Sequence, residues 1–435
     1  MIKNIVILGV QWGDEGKGKI VDLFSKTSDY VVRYQGGNNA GHTLLVNKKK
    51  IVLHLIPSCV LYKKTTAILG NGVVVSLIDL IKEINYLKEK NIFIKDRVIL
   101  SHSITLIFEY HIFLDKAREE SNLKSSIGTT RKGIGPAYED KIARRAIRIN
   151  DLNNVHFFSK MLKKNVQYYN FQLKNIYKRN IVSYKKIYNE SLNSFLELKH
   201  MIQDVGLFLN KKIKKGFKIV FEGAQGSLLD IDHGTYPYVS SSNSTIGGVI
   251  TGTGVGIKNI EYILGVSKLY STRVGNGPFP TEVFGNIHNH LYKIGKEFGS
   301  TTGRIRRTGW LDLVLLKRMI QINSLSGICF TKLDVLDYLQ TIKVCIKYIN
   351  KDSKKELKIF PSNEIEWKNV IPVYKSFKGW NQSTKSIVLF KKLPKNVIKF
   401  INFIQNFIKI SIDLISTGPE RSEIIILNNF LKKFI

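Results

Sequence analysis

The sequence predicts an α/β protein built on one large, mostly parallel, twisted sheet with helices on both faces. Two observations carry this. Short, nearly continuous apolar runs recur, each followed by glycine or polar punctuation, and stretches with helical apolar spacing lie between them. A third sets the scale: 435 residues with 43% hydrophobic content bury a sizeable core, and no polar low-complexity tract interrupts them. One elaborated domain spanning 1–435 is expected.

In chain order, the first strand is "NIVILGV" at 4–10, and it runs straight into the glycine-rich "QWGDEGKGK" at 11–19. "YVVRYQGG" (30–37), "IVLHLIP" (51–57), "TAILGNGVVV" (66–75) and "RVILS" (97–101) supply further strands, with a helix over "LIDLIKEINYLKEK" (77–90). From 151 to 215 the texture changes. Phe158, Leu162, Val166, Tyr169 and Leu173 keep helical spacing without a strand signal, which predicts a helical insertion. Strands resume at "FKIVFEGAQG" (217–226), "SGICFTKLD" (326–334) and "SIDLISTGP" (411–419), with a helix over "LDLVLLKRMIQIN" (311–323). "TGTGVG" (251–256) lacks the preceding strand of a dinucleotide motif and reads as a turn.

Bulk properties narrow the function classes. The first apolar run is too short for a signal-peptide core and no apolar stretch reaches spanning length, so a cytoplasmic protein without membrane contact is expected. Cys59, Cys329 and Cys345 are widely spaced, which argues against a disulfide framework or zinc site. The net charge of +33 would suit a nucleic-acid partner, but the lysines lie in scattered runs such as "NKKK" and "FKKLPK" without a recognition motif. No specific nucleic acid is expected.

The loop after the first strand poses a problem. Phosphate loops aim backbone N–H groups and a lysine at anionic oxygens, yet this one holds Asp14 and Glu15. It also departs from the usual phosphate-loop spacing, because Gly18 follows Lys17 where a hydroxyl would hold magnesium. A carboxylate there makes sense if it shares a cation with phosphate or takes a proton from the acceptor. Asp14 can do either.

Other segments point to the same chemistry. "GGNNAGHT" (36–43) is a second glycine turn ending in His42, a residue type that donates protons near neutrality. "TKLD" (331–334) resembles a guanine-reading motif with Thr331 in place of Asn; a carboxylate at Asp334 accepts from N1–H and the 2-amino group, which adenine lacks. "STGPE" (416–420) is a strand-end turn able to close over a base. "STTGRIRRTG" (300–309) gathers hydroxyls with Arg304, Arg306 and Arg307, suiting a dicarboxylate or phosphate. Gln225 and Ser240 add neutral hydrogen-bonding groups.

"QWGDEGKGK" and "GIGPAYEDKIAR", with "NAGHT", "EGAQG", "DHGTYPYV", "STRVGNGPFPTE", "TTGR", "RRTGWLD", "TKLD" and "STGP" in order, closely resemble the adenylosuccinate synthetase family. The resemblance covers essentially the whole chain. It implies a P-loop-NTPase-like fold and a ligase that joins IMP to L-aspartate with GTP, through 6-phosphoryl-IMP, as the first committed step from IMP to AMP. It also implies one Mg2+ per subunit and a homodimer.

Roles carry over by position. Asp14 resembles the base that removes the IMP N1 proton, and His42 the acid that assists γ-phosphoryl transfer; Lys17 and Gln225 complete the catalytic set. Asp14 and the carbonyl of Gly41 resemble the magnesium ligands. The GTP site would comprise Gly13, Asp14, Glu15, Gly16, Lys17, Gly18 and Lys19, then Gly41, His42, Thr43 and Arg306. Its guanine end would be Lys332, Leu333 and Asp334 with Ser416, Thr417 and Gly418. IMP would meet Asp14, Glu15, Gly16, Lys17, Asn39, Ala40, Gly41 and His42. Thr130, Gln225, Ser240 and Arg304 would add to it, with Arg144 reached from the second subunit. Aspartate would lie in Ser300, Thr301, Thr302, Gly303, Arg304, Ile305 and Arg306. Arg131 stands where the family commonly has glycine, a substitution expected to strain its loop. A regulatory GTPase without ligase activity would share "TKLD", and a nucleic-acid-binding protein would explain the charge but not the ordered glycine loops.

Overall fold

The computed structural model describes residues 2–39, 41–46, 49–121, 127–299, 303 and 305–435, with side chains 44–46, 49 and 50 left aside. Ten strands make one sheet. They are β1 (Asn4–Gly9), β2 (Tyr30–Arg33), β3 (Thr66–Leu69), β4 (Val98–Ser101), β5 (Ile202–Gln203), β6 (Ile219–Glu222), β7 (Tyr262–Lys268), β8 (Gly327–Thr331), β9 (Ser411–Ser416) and β10 (Ile424–Ile426). Their spatial order is β10-β9-β8-β7-β1-β6-β2-β3-β4-β5, and each adjacent pair is parallel except β9 with β10.

The strands are buried on both faces, which is why they read as continuous apolar runs. In β1, Ile5 and Ile7 enter one core while Val6 and Leu8 enter the other. The first core is closed by helix α1 (Lys17–Ser25) through Ile20, Val21 and Phe24, and by the helices at Leu77–Glu89 and Val155–Phe171. The second is closed by Leu313–Asn323 and Lys395–Ile408. Because the strands are parallel, the segments after β1, β2, β6, β8 and β9 all leave from one edge of the sheet. That edge carries the site.

The structure departs from the sequence reading at five places. The strand β7 sits beside β1 in the sheet centre but was not anticipated, since Gly265 and Ser267 dilute its apolar run. A Cβ at Gly265 would stand 2.4 Å from Leu325 Cδ1, so a larger residue there would displace that side chain. "IVLHLIP" does not join the large sheet; Lys49–Leu53 pairs antiparallel with His42–Val46 in a separate hairpin. A four-stranded sheet of Tyr270–Arg273, Arg307–Asp312, Thr341–Asn350 and Val370–Lys378 was likewise unanticipated. Finally, the 151–215 stretch holds the helices Val155–Phe171, Tyr184–Leu198 and Val205–Lys214, yet also the two-residue edge strand β5. "TGTGVG" begins inside the helix Gly247–Thr253, which Gly254 ends in a left-handed conformation.

Candidate active site

The loops at the sheet edge surround a cavity of about 1470 Å³. Gly13, Asp14, Gly16, Lys17, Gly18 and Lys19 line it from the first loop, and Asn39, Gly41, His42 and Thr43 from the second. Thr130, Gln225 and Ser240 lie on one wall, and Arg306, Lys332, Asp334, Ser416 and Gly418 on another.

The two carboxylates of the first loop have separate fates. Glu15 is fully buried and turned inward: Oε1 accepts from the N–H groups of Gln11 at 3.0 Å and Gly13 at 2.9 Å, and Oε2 pairs with Lys17 Nζ at 2.5 Å. It shapes the loop from inside. A Cβ on Gly226 would stand 2.3 Å from Glu15 Oε1, so that neighbour has to be glycine. The side chain of Glu15 is thus turned into the loop, and Glu15 is not among the residues that line the cavity. Asp14, at φ 59°, stays 32% exposed and faces the cavity. Gly16 caps α1 at φ 90° without a side-chain hydrogen bond, and no acidic residue occupies the first turn, leaving the helix N-terminus suited to an anion.

Asp14 Oδ2 pairs with Arg306 Nε at 2.7 Å, and Arg306 Nη1 reaches the fully buried Glu297 Oε2 at 2.6 Å. Glu297 Oε1 also accepts from Lys268 Nζ at 2.8 Å and from the Tyr270 hydroxyl at 2.5 Å. Lys268, Lys332 and Arg306 hold the Glu297 carboxyl down at about 2 against its burial, and burial brings buried Lys268 down to about 8. Neither Glu297 nor Lys268 was singled out from the sequence. Their 29-residue separation and ordinary local patterns give no signal.

His42 borders the cavity from the second loop. Burial, with Arg33, His54 and Lys17 nearby, lowers its pKa to about 3, so the imidazole is neutral rather than poised near neutrality. Its Nε2 lies 3.7 Å from Glu222 Oε1, too far for a hydrogen bond, and is buried without a hydrogen-bond partner among the described residues. Glu222 is held by the Ser58 hydroxyl at 2.6 Å and the Ser58 N–H at 2.8 Å. Gln225, at φ 53°, donates to Asn39 Oδ1 at 3.1 Å and accepts from Gln35 Nε2 at 3.2 Å, which ties the second loop to the wall.

At the far wall, Asp334 lies in the first turn of a short 3-10 helix, Leu333–Leu336, after β8, and burial raises its carboxyl. Lys332 Nζ donates to Gly295 O at 2.7 Å, and Leu333 is fully buried away from the cavity. The Thr331 hydroxyl donates to Glu15 O at 2.5 Å, coupling this segment to the first loop. Lys19, expected in the GTP site, lines the cavity, and its Nζ donates to Ser416 Oγ, Gly418 O and Glu423 O at 2.8, 2.7 and 2.9 Å. The buried Thr417 hydroxyl donates to Ile387 O at 2.9 Å, so its side chain also faces away. Arg144, at φ 60°, is exposed and lies outside the cavity lining. Ala40, Ser300, Thr301, Thr302 and Arg304 lie outside the described residues, while Gly303 and Ile305 are exposed.

The profile of one protein family, described as adenylosuccinate synthetase, matches residues 6–425. The chain belongs to the adenylosuccinate synthetase family. It is 58% identical over 435 residues to an adenylosuccinate synthetase of Buchnera aphidicola subsp. Acyrthosiphon pisum, covering 100% of both chains. It is 54% identical to that of Wigglesworthia glossinidia brevipalpis, over 99% of this chain and 100% of the other. A fully ligated adenylosuccinate synthetase from Plasmodium falciparum superposes with a TM-score of 0.93 at 40% identity, covering 98% of this chain and all of the other. A cyanophage S-2L succinoaminodeoxyadenylate synthetase matches at 16% identity and a TM-score of 0.60, over 100% of this chain and 99% of the other, which bears on the fold alone. As an adenylosuccinate synthetase family member, the chain is a GTP-dependent ligase of purine synthesis that makes adenylosuccinate from IMP and L-aspartate.

Proposed function

We propose that this ligase works through 6-phosphoryl-IMP, with Asp14 as base, and that the three substrates meet in the one cavity. The observation that carries this is the convergence of the phosphate loop, the His42 turn, the Asp334 wall and the Thr130, Gln225 and Ser240 wall on a single space. Asp14 takes the N1 proton of IMP, which makes O6 nucleophilic; O6 forms a bond to the γ-phosphorus of GTP and GDP leaves. The amine of aspartate then adds at C6 and phosphate departs.

The chain's groups divide the work. Neutral His42 donates an N–H hydrogen bond to phosphoryl oxygen, a role its unpartnered Nε2 supports once the ring tautomer places hydrogen there. Lys17 and the N-terminus of α1 neutralise phosphate charge. Gln225 orients IMP. Asp334 reads guanine, Ser416 and Gly418 cover it, and Arg306 serves aspartate and the transferred phosphoryl group.

Among the described residues, no three His, Cys, Asp or Glu side chains converge to hold a metal. Magnesium does not require them, because it keeps several waters and takes one or two carboxylates with substrate phosphates. Asp14, with hard oxygen donors exposed to the cavity, fits that donor set, and the carbonyl of Gly41 completes the protein's share. When bound there, Mg2+ supplies positive charge that offsets carboxylate–phosphate repulsion.

Exposed Arg144, outside its own cavity, supports a homodimer in which it reaches the partner subunit's IMP. Three buried, unpaired cysteines support a reducing, cytoplasmic setting. The test uses IMP labelled with 18O at C6. Label recovered in inorganic phosphate, with adenylosuccinate formed in step, supports the pathway; GTP hydrolysis independent of IMP, with oxygen drawn from water, overturns it.

A further inference from the structure

The geometry points to Lys19 as a positioning residue that fastens the turn Ser416–Gly418 to the phosphate loop, so that base and phosphates are gripped by one rigid unit. An ammonium carries three donors, and each has an acceptor here: Ser416 Oγ at 2.8 Å, Gly418 O at 2.7 Å and Glu423 O at 2.9 Å. Two of these acceptors are main-chain carbonyls, so Lys19 fixes the path of the turn itself.

The turn is braced from its other side as well. The Ser416 hydroxyl donates to Gly418 O at 3.0 Å, and the Thr417 N–H donates to Glu423 O at 3.0 Å. The Glu423 carboxylate accepts from the Glu420 N–H at 2.7 Å and the Ser386 hydroxyl at 2.6 Å. Lys19 sits in the first turn of α1, directly after the phosphate loop, and its partners lie 397 to 404 residues away. The Thr331 hydroxyl makes the parallel link from the Asp334 segment to Glu15 O at 2.5 Å. Both base-side segments are thus tied to the loop that meets phosphate. A lysine whose donors all serve protein acceptors is a strut, distinct from Lys17.

The inference rests on the reading that Ser416, Gly418 and Asp334 form the guanine site. Its test measures steady-state kinetics for Lys19→Met, Lys19→Arg and Ser416→Ala with GTP and with inosine triphosphate, which lacks the 2-amino group. For Lys19→Met the KM for GTP is expected to rise at least about tenfold while kcat at saturation stays within about threefold, because an interaction shared by ground and transition states is lost. KM for IMP and aspartate should hold, and the preference for GTP over inosine triphosphate should shrink. Lys19→Arg should recover part of the GTP affinity, and Ser416→Ala should show a smaller shift of the same kind even if Lys19→Met folds poorly. A loss confined to kcat and equal for both nucleotides would make Lys19 a phosphate ligand and overturn the proposal. Failure of the underlying reading looks different: Asp334→Asn would then leave the wild-type preference between the two nucleotides intact.

Discussion

Replacing Glu297 with Gln is expected to destabilise the protein by a calculable amount. The carboxyl is fully buried, and Lys268, Lys332 and Arg306 lower it from 4.5 to about 2. That difference corresponds to on the order of 3 kcal/mol favouring the ionised, folded form. The figure agrees with the loss of roughly 3–5 kcal/mol expected when one partner of a buried ion pair is removed, since Gln leaves Lys268 facing Arg306 without an anion between them. Unfolding entropy of ~2.1 cal/mol/K per residue gives ~0.9 kcal/mol/K for the whole chain, so Tm should fall by ~4 °C. The sign fixes the pH window. A depressed carboxyl contributes its full stability above 4.5 and loses it as pH falls through about 2. Calorimetry at pH 7 and pH 4 therefore distinguishes the cause: the gap between wild type and Glu297→Gln should be wide at pH 7 and narrower at pH 4. A Tm within about 1 °C of wild type at pH 7 would mean that the Lys268–Glu297–Arg306 chain is not the electrostatic anchor described.

Three further outcomes are open to measurement. Asp14→Ala should lose turnover by on the order of 10² to 10⁴ from the base alone while circular dichroism stays unchanged, and near-wild-type turnover by the folded variant would exclude Asp14 as base. Asp334→Asn should weaken use of GTP and favour xanthosine triphosphate, whose 2-oxo group accepts from the new amide; competition assays with GTP, ATP and xanthosine triphosphate read this directly, and an unaltered preference places base reading elsewhere. Asp312, raised by burial from 3.8 to about 6, contributes stability that is complete below 3.8 and is lost as pH rises through 6. Asp312→Asn keeps an acceptor for the N–H groups of Val314 and Leu315 that begin the helix, so in urea titrations it should escape a loss of up to ~3 kcal/mol that wild type undergoes between pH 4 and 7.

What the sequence made legible was whatever is local. The continuous apolar run of β1, glycine punctuation after each strand and the order of the loops are patterns of neighbouring residues, and they locate the cavity-forming edge of the sheet. Charge partnership is different. Glu15 and Lys19 sit in one short motif and look alike as phosphate-site residues, but Glu15 is taken up by backbone N–H groups of its own loop. Lys19 is taken up by acceptors some 400 residues later. No local pattern separates the two, because the difference is set by what the fold brings alongside.

The loop at Arg131 shows the converse, where local backbone reasoning from a single residue type met its tertiary answer. Arg131 does adopt the left-handed conformation that glycine tolerates, at φ 56°. For a residue with a Cβ this costs roughly 1–2 kcal/mol. Its own ion pair with Glu120, 3.4 Å long and exposed on both sides, is worth too little to offset that, since exposed pairs contribute about 0–1 kcal/mol. The buried Asp115 does more. It accepts from the Thr129 hydroxyl at 2.8 Å and from the Gly133 N–H at 2.9 Å, clamping the loop on both sides of the strained residue. A buried carboxylate with two donors over-determines the conformation, and the Thr130 wall of the cavity keeps its place because Asp115, rather than Arg131, sets the path of the chain.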